Sequence, residues 1–223
     1  TRFWRLSVLI ISPRFTSFRY LLLMGALLLV VTTARAGNPT TVLILGDSIS
    51  AAYGMSLEQG WVALLERRLR EQYPNIEVVN ASISGETSAG GLRRLPALLQ
   101  QHQPDLLVIE LGGNDGLRGF PLTLFRQNLV DMIEMAAGHG ARTLLLPMEI
   151  PPNYGARYTQ GFRETFRAAA DTTAATLGPF ILDGIATNPT LMQADGIHPT
   201  VEAQPGMLDN VYAAIDAALR AHE

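Results

Sequence analysis

From Thr41 onward, apolar runs of three to six residues alternate with longer stretches in which apolar residues recur every third or fourth position. This pattern constrains the fold more tightly than any other feature. Short runs fit buried strands, and the longer stretches fit helices with one apolar face. The strand candidates are 41–45, 77–79, 106–111, 143–146 and a weaker fifth at 180–182. Helix candidates cover 57–73, 91–102, 122–136, 159–177 and 208–219. Strands alternating with helices of such lengths imply right-handed crossovers and a parallel sheet covered on both faces. The expected architecture is a single three-layer α/β/α domain on a five-stranded, mostly parallel sheet. Ligands of such sheets bind beyond the carboxyl ends of the strands.

The residues before this pattern are of another kind. Tyr20 to Val31 is an apolar run, with arginines before it and the small residues Ala34 and Ala36 after it. A basic segment, an apolar core and small residues at −3 and −1 make up a secretory signal peptide. A membrane anchor is the competing reading, but the core is about a dozen residues against the roughly 20 a spanning helix needs. We therefore expect residues 1–36 to be a cleaved leader, 37–223 to be the mature domain, and its location to be periplasmic or secreted. The chain opens without methionine, which points to a mis-set start or a fragment.

Charge and cysteine content narrow the function. The leader holds five arginines and no acid, so residues 37–223 carry 12 arginines against 20 acids, a charge of −8. A domain that acidic is a poor nucleic-acid binder. Without any cysteine, disulfides, thiolate metal sites, a cysteine nucleophile and a lipidated cysteine anchor are all excluded.

Four polar, glycine-bearing turns follow strands or precede the last helix: Gly46-Asp47-Ser48, Asn80 to Thr87, Gly112 to Gly116, and Asp195-Gly196-Ile197-His198-Pro199. A serine hydroxyl attacks an acyl carbonyl only when a base removes its proton, and histidine titrates in the right range. A carboxylate must hold that imidazole, and preorganised donors must receive the oxyanion. Ser48, His198 and Asp195 supply the first three parts. The backbone N–H groups of Ser48 and Gly85 and the side-chain amide of Asn114 are candidate donors. Asp183 is the rival for the acid. His102, His139 and His222 sit near helix ends and read as structural. Asp47 and Asp115 adjoin the site but are expected to satisfy loop N–H groups. Asn80-Ala81-Ser82 matches a glycosylation sequon, which its place at the site argues against.

These four segments, in this order, resemble the conserved blocks of the SGNH (GDSL-type) hydrolase family. Within it, NASISGETSAGG, RLPALLQQHQPD, ELGGNDGLRGF, PPNYGARY and DGIHPT are similar to the periplasmic acyl-thioesterase/lysophospholipase/arylesterase group of Gram-negative bacteria. The resemblance spans essentially the whole mature chain. It implies a flavodoxin-like fold and a serine hydrolase that cleaves acyl esters and thioesters, lysophospholipids among them, with no metal and no organic cofactor. A soluble monomer without a lasting membrane anchor is expected. Leu117, Phe120, Ile150, Pro152 and Tyr154, on loops after the third and fourth strands, are the candidate acyl-binding wall. Two other readings stay open: a carbohydrate O-deacetylase on the same triad, and a metal-dependent phosphoesterase using Asp47, Asn114 and His198.

Overall fold

Thr41 to Leu45 are buried to the last residue, as a strand covered by helices on both faces must be. In the computed structural model, which describes residues 40–221, this run is the centre of the sheet. The expected leader, residues 1–36, lies outside the described residues. Strands β1 (Thr40–Gly46), β2 (Ile76–Asn80), β3 (Leu106–Glu110), β4 (Arg142–Leu145) and β5 (Thr176–Leu177) stand in the order β2-β1-β3-β4-β5. Every pairing is parallel, so "mostly parallel" becomes wholly parallel. β3 is as buried as β1, whereas the edge strands β2 and β5 are partly exposed.

Six α-helices accompany the sheet among the described residues: α1 (Trp61–Gln72), α2 (Ser88–His102), α3 (Gly113–Leu117), α4 (Leu122–Gly138), α5 (Ala156–Asp171) and α6 (Gln204–Arg220). α1 packs against α6, and α4 packs against α2 and α5. The chain leaves β1 for β2 on one side and then crosses back to β3 on the other. With right-handed crossovers, that reversal puts α1 and α2 on opposite faces. It also opens a crevice where the ends of β1 and β3 diverge, the switch point of this strand order. No described helix is long and apolar enough to cross a membrane.

Several expected boundaries move, three of them for reasons visible in the structure. The fifth strand is Thr176–Leu177, not 180–182. Ile181 and Leu182 are buried at 0% and 5% exposure, but in a turn after Gly178-Pro179. A short apolar run marks burial and cannot by itself distinguish a strand from a packed turn. α5 ends at Asp171 instead of running to 177, because the hydroxyls of Thr172 and Thr173 bond back to the carbonyls of Ala168 and Ala169, each at 2.8 Å. Those side chains satisfy terminal acceptors that a continuing helix would have used. The first helix divides at Gly60 into a 3₁₀ turn (Leu57–Gln59) and α1. The Trp61 N–H that opens α1 is capped from far along the chain, by Gln204 Oε1 at 2.9 Å.

The turn after β3 depends on a glycine. Gly112 has φ +119, and a Cβ there would stand 2.4 Å from the Phe125 ring. Phe125, Phe162 and Phe166 form a mutual cluster with centroids 5.2–5.4 Å apart, so the ring has little room to retreat. Backbone strain and overpacking act together at this position. Gly112→Ala is expected to destabilise the fold by at least ~2 kcal/mol, read from the midpoint of urea unfolding.

Candidate active site

Each candidate residue is set by the strand end before it. β1 stops at Gly46, and the next residues turn, with Ala51 N–H donating to the Asp47 carbonyl at 2.9 Å. Ser48 therefore stands at the sheet edge with 9% of its surface exposed. The loop after β2 is fastened to β1, since Ala81 N–H donates to Ile44 O and Ile83 N–H to Gly46 O. It turns through Gly85 at φ +79, where a side chain would meet only the end of Arg118. Beyond β3, Asn114 occupies the first turn of α3 and donates from Nδ2 to Asp47 Oδ2 at 3.1 Å. Arg118, at the end of α3, donates to Gly85 O at 3.2 Å. The three loops that carry Ser48, Gly85 and Asn114 are thus joined to one another.

The fourth loop comes from the far end of the chain. His198 Nε2 lies 2.9 Å from Ser48 Oγ, and His198 Nδ1 lies 2.7 Å from Asp195 Oδ2. The other Asp195 oxygen accepts the N–H groups of Ile197 and His198 at 2.9 and 3.0 Å. Those backbone donors, together with the imidazole, hold the Asp195 carboxyl down to about 2. Asp195 is a carboxylate at any working pH, and an ionised acceptor fixes its imidazole neighbour in the tautomer with the proton on Nδ1. That leaves Nε2 free to accept from Ser48. Asp183, the rival acid, instead offers its backbone carbonyl to Asn210 at 2.9 Å. Tyr53 stacks on the imidazole, with centroids 4.1 Å apart and planes inclined by 29°.

Beneath Ser48 lies a polar floor that the sequence reading did not anticipate. Glu110 ends β3 with no exposure at all. Its Oε2 accepts the Ser50 hydroxyl at 2.6 Å and faces the Asp47 N–H at 3.4 Å; Oε1 has no partner. Trp61 Nε1 donates to Ser50 Oγ at 3.2 Å and closes the network. Burial, reinforced by the Asp47 charge, pushes the Glu110 carboxyl well above the usual range. Burial also raises Asp47 to about 6, even though Ile49 N–H and Asn114 donate to it. The available signal was a carboxylate inside an otherwise apolar strand run, LLVIEL, which a buried strand does not hold without a purpose.

The remaining candidates separate. Asp115 satisfies the Ser88 N–H and hydroxyl at 2.8 and 2.6 Å, which ties α2 to α3. Asn80 is occupied within the fold, donating to Ser50 O and accepting from Ser82 N–H. His139 contacts the Met135 carbonyl at the end of α4, and His102 is the last residue of α2; His222 lies outside the described residues. Of the expected wall, Phe120, Pro152 and Tyr154 are exposed and Leu117 partly so, but Ile150 is buried in the core, where it packs against Gly116. Tyr154 donates to Leu117 O at 2.9 Å and Tyr158 to Phe120 O at 2.8 Å, which fixes the two wall loops together. Tyr154 also lines a groove with Leu122, Arg157, Tyr158 and Glu164 that none of the Ser48, Asp195 or His198 side chains borders. Among the described residues, no three His, Asp or Glu side chains converge as a metal ion requires.

Glu110 has a measurable consequence. Its carboxyl is raised in the fold above the ordinary 4.5 of an unfolded glutamate, so the native state binds the extra proton. The contribution of Glu110 to stability is complete below about pH 4.5 and declines as pH rises from there towards the folded value. Glu110→Gln removes this titration while keeping an acceptor for Ser50. The variant is expected to melt above the wild type at about pH 8, with the gap closing towards about pH 4, read by thermal unfolding across pH.

Comparison with known proteins places the chain in a family. Residues 44–204 match the GDSL-like Lipase/Acylhydrolase family. The chain is 51% identical over 201 residues to the protein named esterase TesA of Pseudomonas aeruginosa, covering 90% of this chain and all of that one. It is 45% identical over 183 residues to thioesterase 1/protease 1/lysophospholipase L1 of Escherichia coli K12, covering 82% and 86% of the two chains. The crystal structure of a psychrotrophic esterase, EstA from Pseudoalteromonas sp., inhibited by monoethylphosphonate, superposes with a TM-score of 0.78 at 46% identity, over 81% of this chain and 99% of that one. With a family match across most of its length, relatives aligned nearly end to end and its four polar turns meeting at one sheet edge, the chain belongs to the GDSL-like lipase/acylhydrolase family of SGNH hydrolases.

Proposed function

We propose that this protein hydrolyses carboxylic esters and thioesters of acyl groups through an acyl-enzyme on Ser48. The observation that carries the reading is the unbroken line from Asp195 Oδ2 to His198 Nδ1 at 2.7 Å and from His198 Nε2 to Ser48 Oγ at 2.9 Å. The names of its relatives, esterase and thioesterase/lysophospholipase, support the same chemistry. The site geometry argues against the phosphoesterase alternative: Asp47 points its carboxylate at Ile49 N–H and Asn114, and His198 turns its free nitrogen to Ser48.

In the proposed cycle, neutral His198 takes the Ser48 proton as Oγ adds to the acyl carbonyl. The N–H groups of Ser48 and Gly85 and the Asn114 amide receive the developing oxyanion. Imidazolium, stabilised by the Asp195 carboxylate, then protonates the departing alcohol or thiol. Water activated by the same imidazole adds to the acyl-enzyme, the Ser48–acyl bond breaks, and the acid leaves as Ser48 recovers its proton. The Asp47 carboxylate holds the Asn114 amide in place through the bond to Nδ2. Acyl chains would lie along the loops that carry Leu117, Phe120, Pro152 and Tyr154. Export of the domain by residues 1–36, to the periplasm or beyond the cell, belongs to the same reading, as does a monomer acting on small-molecule substrates, lysophospholipids included.

Treatment of the purified protein with a fluorophosphonate ester tests the nucleophile. The adduct is expected on Ser48 by mass spectrometry and is expected to vanish in His198→Ala; labelling elsewhere, or none, overturns the assignment. Asn114→Ala should fold normally and lose roughly 100- to 1,000-fold in kcat on p-nitrophenyl esters, the cost of one oxyanion donor. Tyr154→Ala should alter the preference among acyl-chain lengths more than the rate on acetate esters, measured over a series of p-nitrophenyl esters. Equal losses on all lengths would remove Tyr154 from the wall.

A further inference from the structure

Ser48 and His198 stand 150 residues apart in the chain, so their hydrogen bond needs something that fixes one loop against the other. Outside the triad, Gln193 makes that connection. Its Nε2 donates to the Tyr53 carbonyl and to the Pro199 carbonyl, both at 2.9 Å. Its backbone N–H donates to the His198 carbonyl at 2.7 Å. On the opposite loop, Tyr53 N–H donates to the Ser48 carbonyl at 3.2 Å. These contacts close a ring from Ser48 through Tyr53 and Gln193 to His198, and back to Ser48 through the imidazole.

Two further features fit the ring to its task. Tyr53 stacks on the imidazole and limits its rotation. Gly54, at φ +77, lets the loop approach closely, since a Cβ there would lie 2.6 Å from Gln193 Oε1. Two carbonyl oxygens converging from different loops repel unless a donor stands between them, and a primary amide has one proton for each. Glutamine suits the position because of those two protons on one nitrogen, at the end of a chain long enough to reach both acceptors.

We propose that Gln193 is a positioning residue: by bridging the Tyr53 and Pro199 carbonyls, it holds His198 Nε2 at hydrogen-bonding distance from Ser48 Oγ. The proposal rests on the reading of Ser48 and His198 as nucleophile and base. Gln193 touches none of the reacting atoms in it; it acts through the backbone carbonyls of Tyr53, His198 and Pro199.

The test uses the full mature protein and three variants at one position. Gln193→Met matches the length without a donor. Gln193→Asn keeps the donor but falls short of one carbonyl, and Gln193→Glu sets a carboxylate against both. Loosening a reacting pair by about 1 Å costs up to about 100-fold, so Gln193→Met is expected to lose about 10- to 100-fold in kcat on a p-nitrophenyl ester. KM should change by less than about threefold, because substrate contacts remain. The second-order rate of fluorophosphonate labelling at Ser48 should fall by the same factor, with wild type fastest, then Asn, Met and Glu. A purely structural role would lower the melting temperature without that ordering among folded molecules. Folded Gln193→Met or, should that variant not fold, folded Gln193→Asn with kcat and labelling within about twofold of wild type overturns the proposal. Wild type that labels at Ser48 only when His198 is present keeps the underlying reading intact in that event. Wild type that does not label at all overturns both.

Discussion

The structure depends on the reversal of strand order beside β1. Right-handed crossovers run first to β2 and then back past β1 to β3, so the helices on either side part above the ends of β1 and β3. Ser48 follows one of these strands and Asn114 the other, and the loop with Gly85 leaves the neighbouring strand β2. Three of the four site loops are neighbours because parallel strands release their chain ends on one edge. The fourth, Asp195 to Pro199, comes to that edge through the packing of α6 against α1, with Gln204 capping Trp61 across the two helices.

A crevice of this kind needs polar groups where the sheet core is apolar, and the floor under Ser48 carries that cost. Glu110 has no exposed surface, one saturated oxygen and one unpartnered oxygen. A full charge there would be expensive, so the group shifts towards its neutral form. Asp47, one residue before Ser48, is pushed up to about 6 by the same burial, but keeps two donors. Asp195 shows the opposite case. Backbone N–H groups and the imidazole surround its two oxygens and hold it near 2, so three carboxyls in one region behave differently because of what each one touches.

Most of the scaffold was legible from hydrophobic periodicity alone. Four of the five strands lie where apolar runs were read, since a strand buried on both faces has to be apolar at nearly every position. The exceptions occur where burial and secondary structure part company. Ile181 and Leu182 are core residues in a turn, and Ile150 was read as wall but is packed beneath α3. Thr172 and Thr173 end α5 by hydroxyl-to-carbonyl bonds, which periodicity does not register. The candidate site is legible to the extent that it rests on residue type and turn composition: the turns mark Ser48, Asp195 and His198, and the structure brings the three side chains into contact. Glu110, Tyr53 and Gln193 are not legible, because a glutamate in an apolar run, a turn tyrosine and a loop glutamine carry no local mark of their partners.

By itself the sequence determined the alternation of strands and helices, the parallel sheet, and the four polar turns with a serine, an acid and a histidine among them. These follow from short-range physics, namely the periodicity of apolar positions and the backbone preferences of glycine, proline and aspartate, which act within a few residues. Only the tertiary structure decided the 2.9 Å between Ser48 and His198, the bridging place of Gln193 and the burial that raises the Glu110 carboxyl. Each of these is a relation between segments about 60 to 150 residues apart. Such relations are set by how helices pack on a twisted sheet, and no local pattern of residues encodes them.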